Sequence, residues 1–189
     1  MFSNDDLKQA LEVLRQGGVI LYPTDTIWGI GCDATNQEAV KRIFGIKQRE
    51  DVKSMLVLIE NPNMLNSYVM EVPEVAWQLI EVADKPLTII YPGAKNLAAN
   101  LIASDGSVGI RVTKEHFTEQ LIQRFRRPLV STSANISGKT APQNFEEISE
   151  EIKNAVDYVV QYRQEERSKQ LPSSILKLGV GGEIQIIRS

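Results

Sequence analysis

Residues 107–133, SVGIRVTKEHFTEQLIQRFRRPLVSTS, decide the fold. This piece opens with an apolar run of strand type, SVGIRV at 107–112, and closes with a second, PLVSTS at 128–133. Between them Phe117, Leu121, Ile122 and Phe125 fall on one side of a helix over residues 115–125. Strand, helix and strand in direct succession are the repeating step of α/β architecture.

The same alternation continues outward in both directions. Upstream, Ser3 or Asn4 caps a helix carrying Leu7, Leu11, Val13 and Leu14, and Gly17-Gly18 ends it. VILYP at 19–23 reads as a buried strand, Asn36 opens a helix with Ala39, Val40, Ile43 and Phe44 inward, and MLVLIE at 55–60 is a strand. Pro73 starts a further helix, followed by the strand PLTIIYP at 86–92. Downstream, residues 145–155 read as helix and DYVVQY at 157–162 as strand. The tail SSILKL–GVGG–EIQIIRS is an antiparallel hairpin around a glycine-rich turn. The pattern predicts an α/β fold: one domain over residues 1–189, with a twisted sheet of mixed parallel and antiparallel strands and helices on its faces. RQEERSKQ at 163–170 has no apolar period and reads as a solvated surface loop rather than a lid.

Composition removes several classes of function. With 42% hydrophobic and 24% charged residues the chain is neither disordered nor membrane-spanning. The opening MFSNDDLKQALEVL is acidic and lacks the features of a signal peptide, so a cytoplasmic protein is expected. The single cysteine, Cys32, forbids an internal disulfide and reads as a small buried hydrophobe. The single histidine, His116, stands at a helix start, where a solvated side chain is expected rather than a general base. One Cys and one His cannot make a zinc site of the usual kind. The net charge of −3 argues against a bulk grip on nucleic acid, and the cluster Arg124, Arg126 and Arg127 reads as the cationic end of a helix.

Polar residues at strand ends are the candidates for chemistry. After the strand at 19–23, Thr24 and Thr26 flank Asp25; in extended chain their hydroxyls share a side and can meet a carboxylate, whereas in a turn they bond their own backbone. Lys47, Arg49 and Lys53 place three cations in seven residues, suited to a polyphosphate or to a solvated helix end paired with Glu50 and Asp51. In Ser131-Thr132-Ser133-Ala134-Asn135 a strand passes into a polar loop, the place where ligands collect in open α/β sheets. Ser107, Arg111, Ser173 and Arg188 are scattered; Arg111, inside an apolar strand, must meet an anion, either a structural carboxylate or a substrate. GxxxxGK[ST] and GxGxxG are both absent, so any nucleotide site is built by other means.

Taken together, YPTDTIWGIGCD, IKQREDVKSM, SVGIRV, PLVSTSANISG, PSSI and the terminal IIR stand in the order found in the threonylcarbamoyl-AMP synthases, the enzymes with a YrdC-like domain, and the chain resembles that family from about residue 5 to residue 188. The resemblance implies a nucleotidyltransferase that makes threonylcarbamoyl-AMP and pyrophosphate from L-threonine, bicarbonate and ATP. Downstream transfer proteins then place the threonylcarbamoyl group on tRNA next to the anticodon. It implies a reaction centre of Lys47, Arg49, Ser133 and Asn135 around the ATP phosphates. Thr26, Arg111, Ser131 and Ser173 would hold threonine, with Thr24 alongside, and Lys53, Ser107 and Arg188 would contact ATP. Mg2+ would accompany ATP, no residue is assigned to a metal, tRNA is bound at most weakly, and no membrane is involved. Many members of that family have proline at Ser54, some have histidine near Leu58, and many continue beyond Arg188-Ser189, so this sequence resembles the short form. The alternatives are an RNA-binding module, disfavoured by an acidic pI near 5.3, and a relative that forms carbamoyl-adenylate. Cations that line a cleft rather than a core should be removable with little loss of stability.

Overall fold

Short apolar runs separated by capped helices fold onto one another because each strand can bury its apolar side chains only against a neighbouring layer. The computed structural model describes residues 2–48 and 55–189. Its strands in chain order are β1 (Ile20–Tyr22), β2 (Gly29–Gly31), β3 (Leu56–Ile59), β4 (Leu87–Tyr91), β5 (Val108–Val112), β6 (Leu129–Ser133), β7 (Tyr158–Val159), β8 (Ser174–Leu178) and β9 (Ile184–Arg188). Among the described residues they form one sheet in the order β7-β1-β2-β6-β3-β5-β4-β8-β9. Pairs β1–β7, β3–β5 and β4–β8 are parallel and the other neighbours antiparallel, the mixed sheet expected.

The helices are α1 (Asn4–Arg15), α2 (Gln37–Ile46), α3 (Leu65–Tyr68), α4 (Glu74–Val82), α5 (His116–Phe125) and α6 (Glu150–Ala155). Their starts follow from local chemistry. Ser3 caps α1 by accepting the Asp6 N–H at 3.0 Å, and Leu7, Ala10, Leu11 and Leu14 form its buried stripe. Asn36 caps α2 through Oδ1, which accepts from Glu38 and Ala39 at 3.1 Å each. In α5 the Glu115 carboxylate does the same for Thr118, at 2.7 Å. Asp6 is buried and ties α1 to the sheet edge: its carboxylate accepts from the Tyr158 hydroxyl and from the backbone of Gln161 and Tyr162.

Four elements differ from expectation, one of them the short helix α3, whose four residues carry no helical period to read. The segment Gly29–Gly31 is a strand, although two of its three residues are glycine and propensity disfavours it. The helix expected from 145 begins only at Glu150, where Ser149 supplies the cap; Phe145 instead packs on Trp28 with ring centroids 4.8 Å apart. The strand expected over 157–162 keeps only Tyr158–Val159, because the backbone beyond it turns to meet Asp6. The charged segment from 163 is also less free than its composition suggests. Arg163 donates to the Thr24 carbonyl at 3.0 Å, pairs with Glu166 and lies 3.9 Å from Glu115. Cys32 and His116 fall as read, the first fully buried and the second on the exposed start of α5.

The glycines of β2 have a steric cause. The Tyr22 ring crosses the sheet over Gly31 so that its hydroxyl donates to the Val130 carbonyl at 3.0 Å. A Cβ at residue 31 would stand 2.4 Å from that carbonyl and 2.6 Å from the Tyr22 ring. Gly31→Ala is therefore expected to lower stability by about 1–3 kcal/mol through overpacking, read as a shift of the denaturant midpoint.

A second prediction concerns acid. Asp157 accepts from the Val19 N–H at 2.7 Å and from Arg42 at 2.9 Å, joining β1 to α2. The Arg42 hydrogen bond, above all, holds its carboxyl below the ordinary value of 3.8. A depressed carboxylate stabilises the fold above that ordinary value and loses its contribution as pH falls through the lowered one. Denaturation at a series of pH values should show wild type more stable than Asp157→Asn near neutrality, with the gap closing on acidification below about pH 4.

Candidate active site

One face of the sheet is apolar and covered: Val57, Ile89, Tyr91, Val108, Ile110 and Val130 are all buried there. Side chains alternate across a strand, so their sequence neighbours point the other way. Those neighbours include Gly109, Arg111, Thr88, Ile90, Leu56 and Ser131, and they floor a cleft of about 340 Å³. Trp28 and Thr26 wall one end, Ser173, Ile175 and Arg188 the other. Among the described residues none that lines it belongs to a helix. A smaller cavity of about 180 Å³ opens on the opposite face beside Ile80 of α4, and its wall is mainly apolar. Convergent polar groups single out the larger cleft.

Arg111 dominates that cleft. It projects from the middle of β5, is 2% exposed, and its Nη2 lies 3.0 Å from Asp25 Oδ1. The anion that the sequence demanded is thus a structural carboxylate, from the turn after β1. The pairing is incomplete: Arg111 Nε is buried without a hydrogen-bond partner, and Asp25 Oδ1 accepts none either. Burial pushes the Arg111 pKa down, Asp25 and Tyr22 raise it, and the positive charge of Arg188 lowers it further. Two guanidinium groups that feel one another on the wall of one cleft, one of them with an unused buried N–H, make a place for an anion.

The turn that supplies Asp25 is fixed from three sides. Thr24 Oγ1 accepts the Thr26 N–H at 3.0 Å and donates to the Ile27 carbonyl at 2.7 Å. Thr118 of α5 donates to the Pro23 carbonyl at 2.9 Å, and Arg163 holds the carbonyl of Thr24. Thr24 does not line the cleft; its hydroxyl belongs to the turn, which corrects the expectation that it faces a ligand together with Thr26. Thr26 does line it, 3.0 Å from Thr24 Oγ1. Because the only Thr24 hydroxyl proton is committed to Ile27, Thr26 must be the donor in that pair. Its oxygen then faces the cleft as an acceptor.

Behind the Trp28 end of the cleft, and not itself lining it, Lys47 follows the last residue of α2 and is 2% exposed. Its Nζ donates to the carbonyls of Ser133 at 2.6 Å and Asn135 at 2.8 Å, and the Ser137 N–H bonds back to its own carbonyl. The structure therefore brings Lys47, Ser133 and Asn135 into one corner, with Ser133 on the cleft wall. Asn135 donates to the carbonyls of Ile136 and Lys139, and its Oδ1 is buried and unbonded. Arg49 and Lys53 lie outside the described residues, as does Ser54. Lys47 is also more structural than a cleft-lining cation need be: it cross-links a helix end to the loop after β6.

Ser131 and Ser173 line the cleft as expected. Arg188 lines it too, its Nε donating to the Ser173 carbonyl at 2.9 Å. Ser107 does not; both its N–H and its hydroxyl are taken by Asp105, which in turn pairs with Lys177 at 2.7 Å. Leu58 is fully buried in register with Arg111. Sequence reasoning missed Thr88, opposite Arg111 in the β4–β5 register, whose hydroxyl lies 2.9 Å from that of Ser173. A threonine amid PLTIIYP was the available signal, a lone polar residue on a buried strand. The Arg124–Arg127 cluster is a helix end as read: Arg126 adopts the left-handed conformation and Arg127 pairs with Asp33 at 2.7 Å.

The same fold recurs in known proteins. The sequence profile of the Sua5/YciO/YrdC family, described as "Telomere recombination", matches residues 12–189. The threonylcarbamoyl-AMP synthase of Pseudoalteromonas translucida is 34% identical over 163 residues, spanning 85% of this chain and 87% of that one. Escherichia coli YciO superposes with a TM-score of 0.85 at 26% identity, covering 99% of this chain and 90% of that one. The P. abyssi Sua5 crystallised with L-threonine superposes with a TM-score of 0.81 at 25% identity over 91% of this chain. This chain spans about half of that longer protein, 50% of its length. With its profile matched over nearly the whole sequence and its sheet shared with solved members, the chain belongs to the Sua5/YciO/YrdC family.

Proposed function

We propose that this protein is an L-threonylcarbamoyladenylate synthase, a nucleotidyltransferase that joins L-threonine, bicarbonate and ATP into threonylcarbamoyl-AMP with release of pyrophosphate, for the tRNA modification that transfer proteins complete. The observation that carries the reading is Arg111: a buried guanidinium in the cleft whose Nε–H has no protein partner. A substrate carboxylate satisfies it without new desolvation of the protein. Thr26 offers an acceptor for the substrate's amino or hydroxyl group, so the cleft carries complementary ends for a small zwitterion.

The reaction needs no side-chain nucleophile. The threonine amine combines with bicarbonate, losing water, to give a carbamate; a carbamate oxygen attacks the α-phosphorus of ATP and pyrophosphate departs. Such transfer is mostly positioning and neutralisation of the transferring and leaving oxygens. Lys47, Ser133 and Asn135 form the corner assigned to the phosphates, together with Arg49; Lys53 and Arg188 are assigned to ATP, and Ser131 and Ser173 to threonine. Among the described residues no group of three or more His, Cys, Asp or Glu could hold a metal, and Mg2+ is treated as part of the MgATP substrate. Tyr22 and Cys32 take no part in proton transfer, since burial raises both well above the neutral range.

Incubation with MgATP, bicarbonate and labelled L-threonine is expected to give an AMP-linked labelled product and pyrophosphate in equal amounts. Pyrophosphate release indifferent to threonine would sink the assignment. Lys47→Ala is expected to abolish turnover and, because two carbonyls lose their donor, to cost about 1–3 kcal/mol of stability in denaturant titration.

A further inference from the structure

Thr88 and Ser173 come from different strands and share one hydrogen bond at 2.9 Å, with either hydroxyl able to donate. Both are buried, both line the cleft, and Thr88 stands directly across from Arg111 in the β4–β5 register. The proton count decides what the pair can do. Two hydroxyls carry two protons; the shared bond uses one and leaves one to donate. Among the described residues neither oxygen makes another side-chain hydrogen bond. Arg188 pins the Ser173 carbonyl, and the Ser174 N–H bonds to the Pro86 carbonyl, so the Ser173 backbone is fixed while its hydroxyl can turn.

We infer that Thr88 is a positioning residue for the carboxylate end of this cleft: it accepts or donates the shared bond so that the pair presents one O–H alongside the unused Arg111 Nε–H, two donors for one carboxylate. The inference rests on the proposed reading of the cleft as an amino-acid site and names a residue that reading did not contain. A serine alone could point its proton to several acceptors; bonded to Thr88, one of the pair's two protons is always spent between them and the other is left for the ligand. Leu56, Ile90 and Ile175 along the same floor offer no competing donor.

Thr88→Val keeps the volume and the β-branch and deletes the hydroxyl, so the strand should fold; Thr88→Ser keeps the hydroxyl. Calorimetric titration is carried out on wild type and both variants with L-threonine, L-serine, L-valine and L-threoninamide, which lacks the carboxylate. Wild type is expected to bind L-threonine and to lose binding of the amide. Thr88→Val should weaken L-threonine by roughly tenfold or more, the loss typical of a hydrogen bond to a charged group. Thr88→Ser should restore it, and the KM for ATP should stay unchanged in both. A Thr88→Val protein that binds L-threonine as wild type does, or an amide that binds equally well, overturns the inference. If wild type ignores L-threonine yet binds another of these carboxylates in a Thr88-dependent way, the inference stands and the choice of substrate falls; if none binds, both fall.

Discussion

The buried pair Arg111–Asp25 is the constraint around which the rest is arranged. Arg111 is inside a five-residue strand and 2% exposed, and the Asp25 side chain is 9% exposed. Removing a guanidinium from water costs several kcal/mol, and a single carboxylate at 3.0 Å recovers that cost only in part when the hydrogen-bond geometry is poor. Among the described residues no second carboxylate pairs with it. Its buried Nε–H is left without a partner in the fold, and under the proposed function a substrate carboxylate completes it. Retaining an incomplete pair at that position is a cost to stability that makes sense as binding energy held in reserve.

Holding Asp25 in place then explains the density of bonds around a short turn. Thr24 spends its hydroxyl on the backbone of residues 26 and 27, α5 reaches in with Thr118, and Arg163 reaches back from a segment more than a hundred residues downstream. The same economy shapes the sheet beside it. Gly29, Gly31 and Gly109 carry no side chain where the floor of the cleft or the crossing Tyr22 ring needs the space; a Cβ on Gly29 would come within 3.0 Å of Ser131 Oγ. The cleft is therefore made by omission on one face of a sheet whose other face is filled with branched and aromatic side chains.

Most of the fold was legible because local signals agreed with one another. The caps at Ser3 and Asn36, the amphipathic stripe of α5, the apolar runs of β3 to β6 and the final hairpin all follow from period and capping chemistry alone. What was not legible depends on contacts between distant residues. β2 is a strand only because Tyr22 and Val130 close over its glycines; the shortened β7 and α6 follow from Asp6 and from Trp28–Phe145 packing. In the site, the need of Arg111 for an anion could be read from burial of charge, but a sequence cannot choose between Asp25 and a substrate. Thr24 and Thr26 illustrate the same limit: identical residues two apart took the two roles that local chemistry left open, one in the turn and one on the cleft wall.

Lys47 shows how structure and proposed chemistry merge beside the Trp28 end of the cleft. Its ammonium bonds two carbonyls of the loop after β6, which is itself where the strand hands the chain to Ser133 and Asn135. A lysine placed only to meet phosphate would need to be ordered on arrival of the ligand, at the cost of its rotamer freedom. One already clamped by carbonyls has lost that freedom during folding, so its positive charge is fixed before any substrate binds. The same holds for Arg111, ordered by Asp25. Charge fixed in advance at Arg111 on the cleft and at Lys47 behind its Ser133 wall suits the proposed reaction, which rests on positioning and charge neutralisation, and one histidine and one cysteine, neither of which lines the cleft, are no handicap to it.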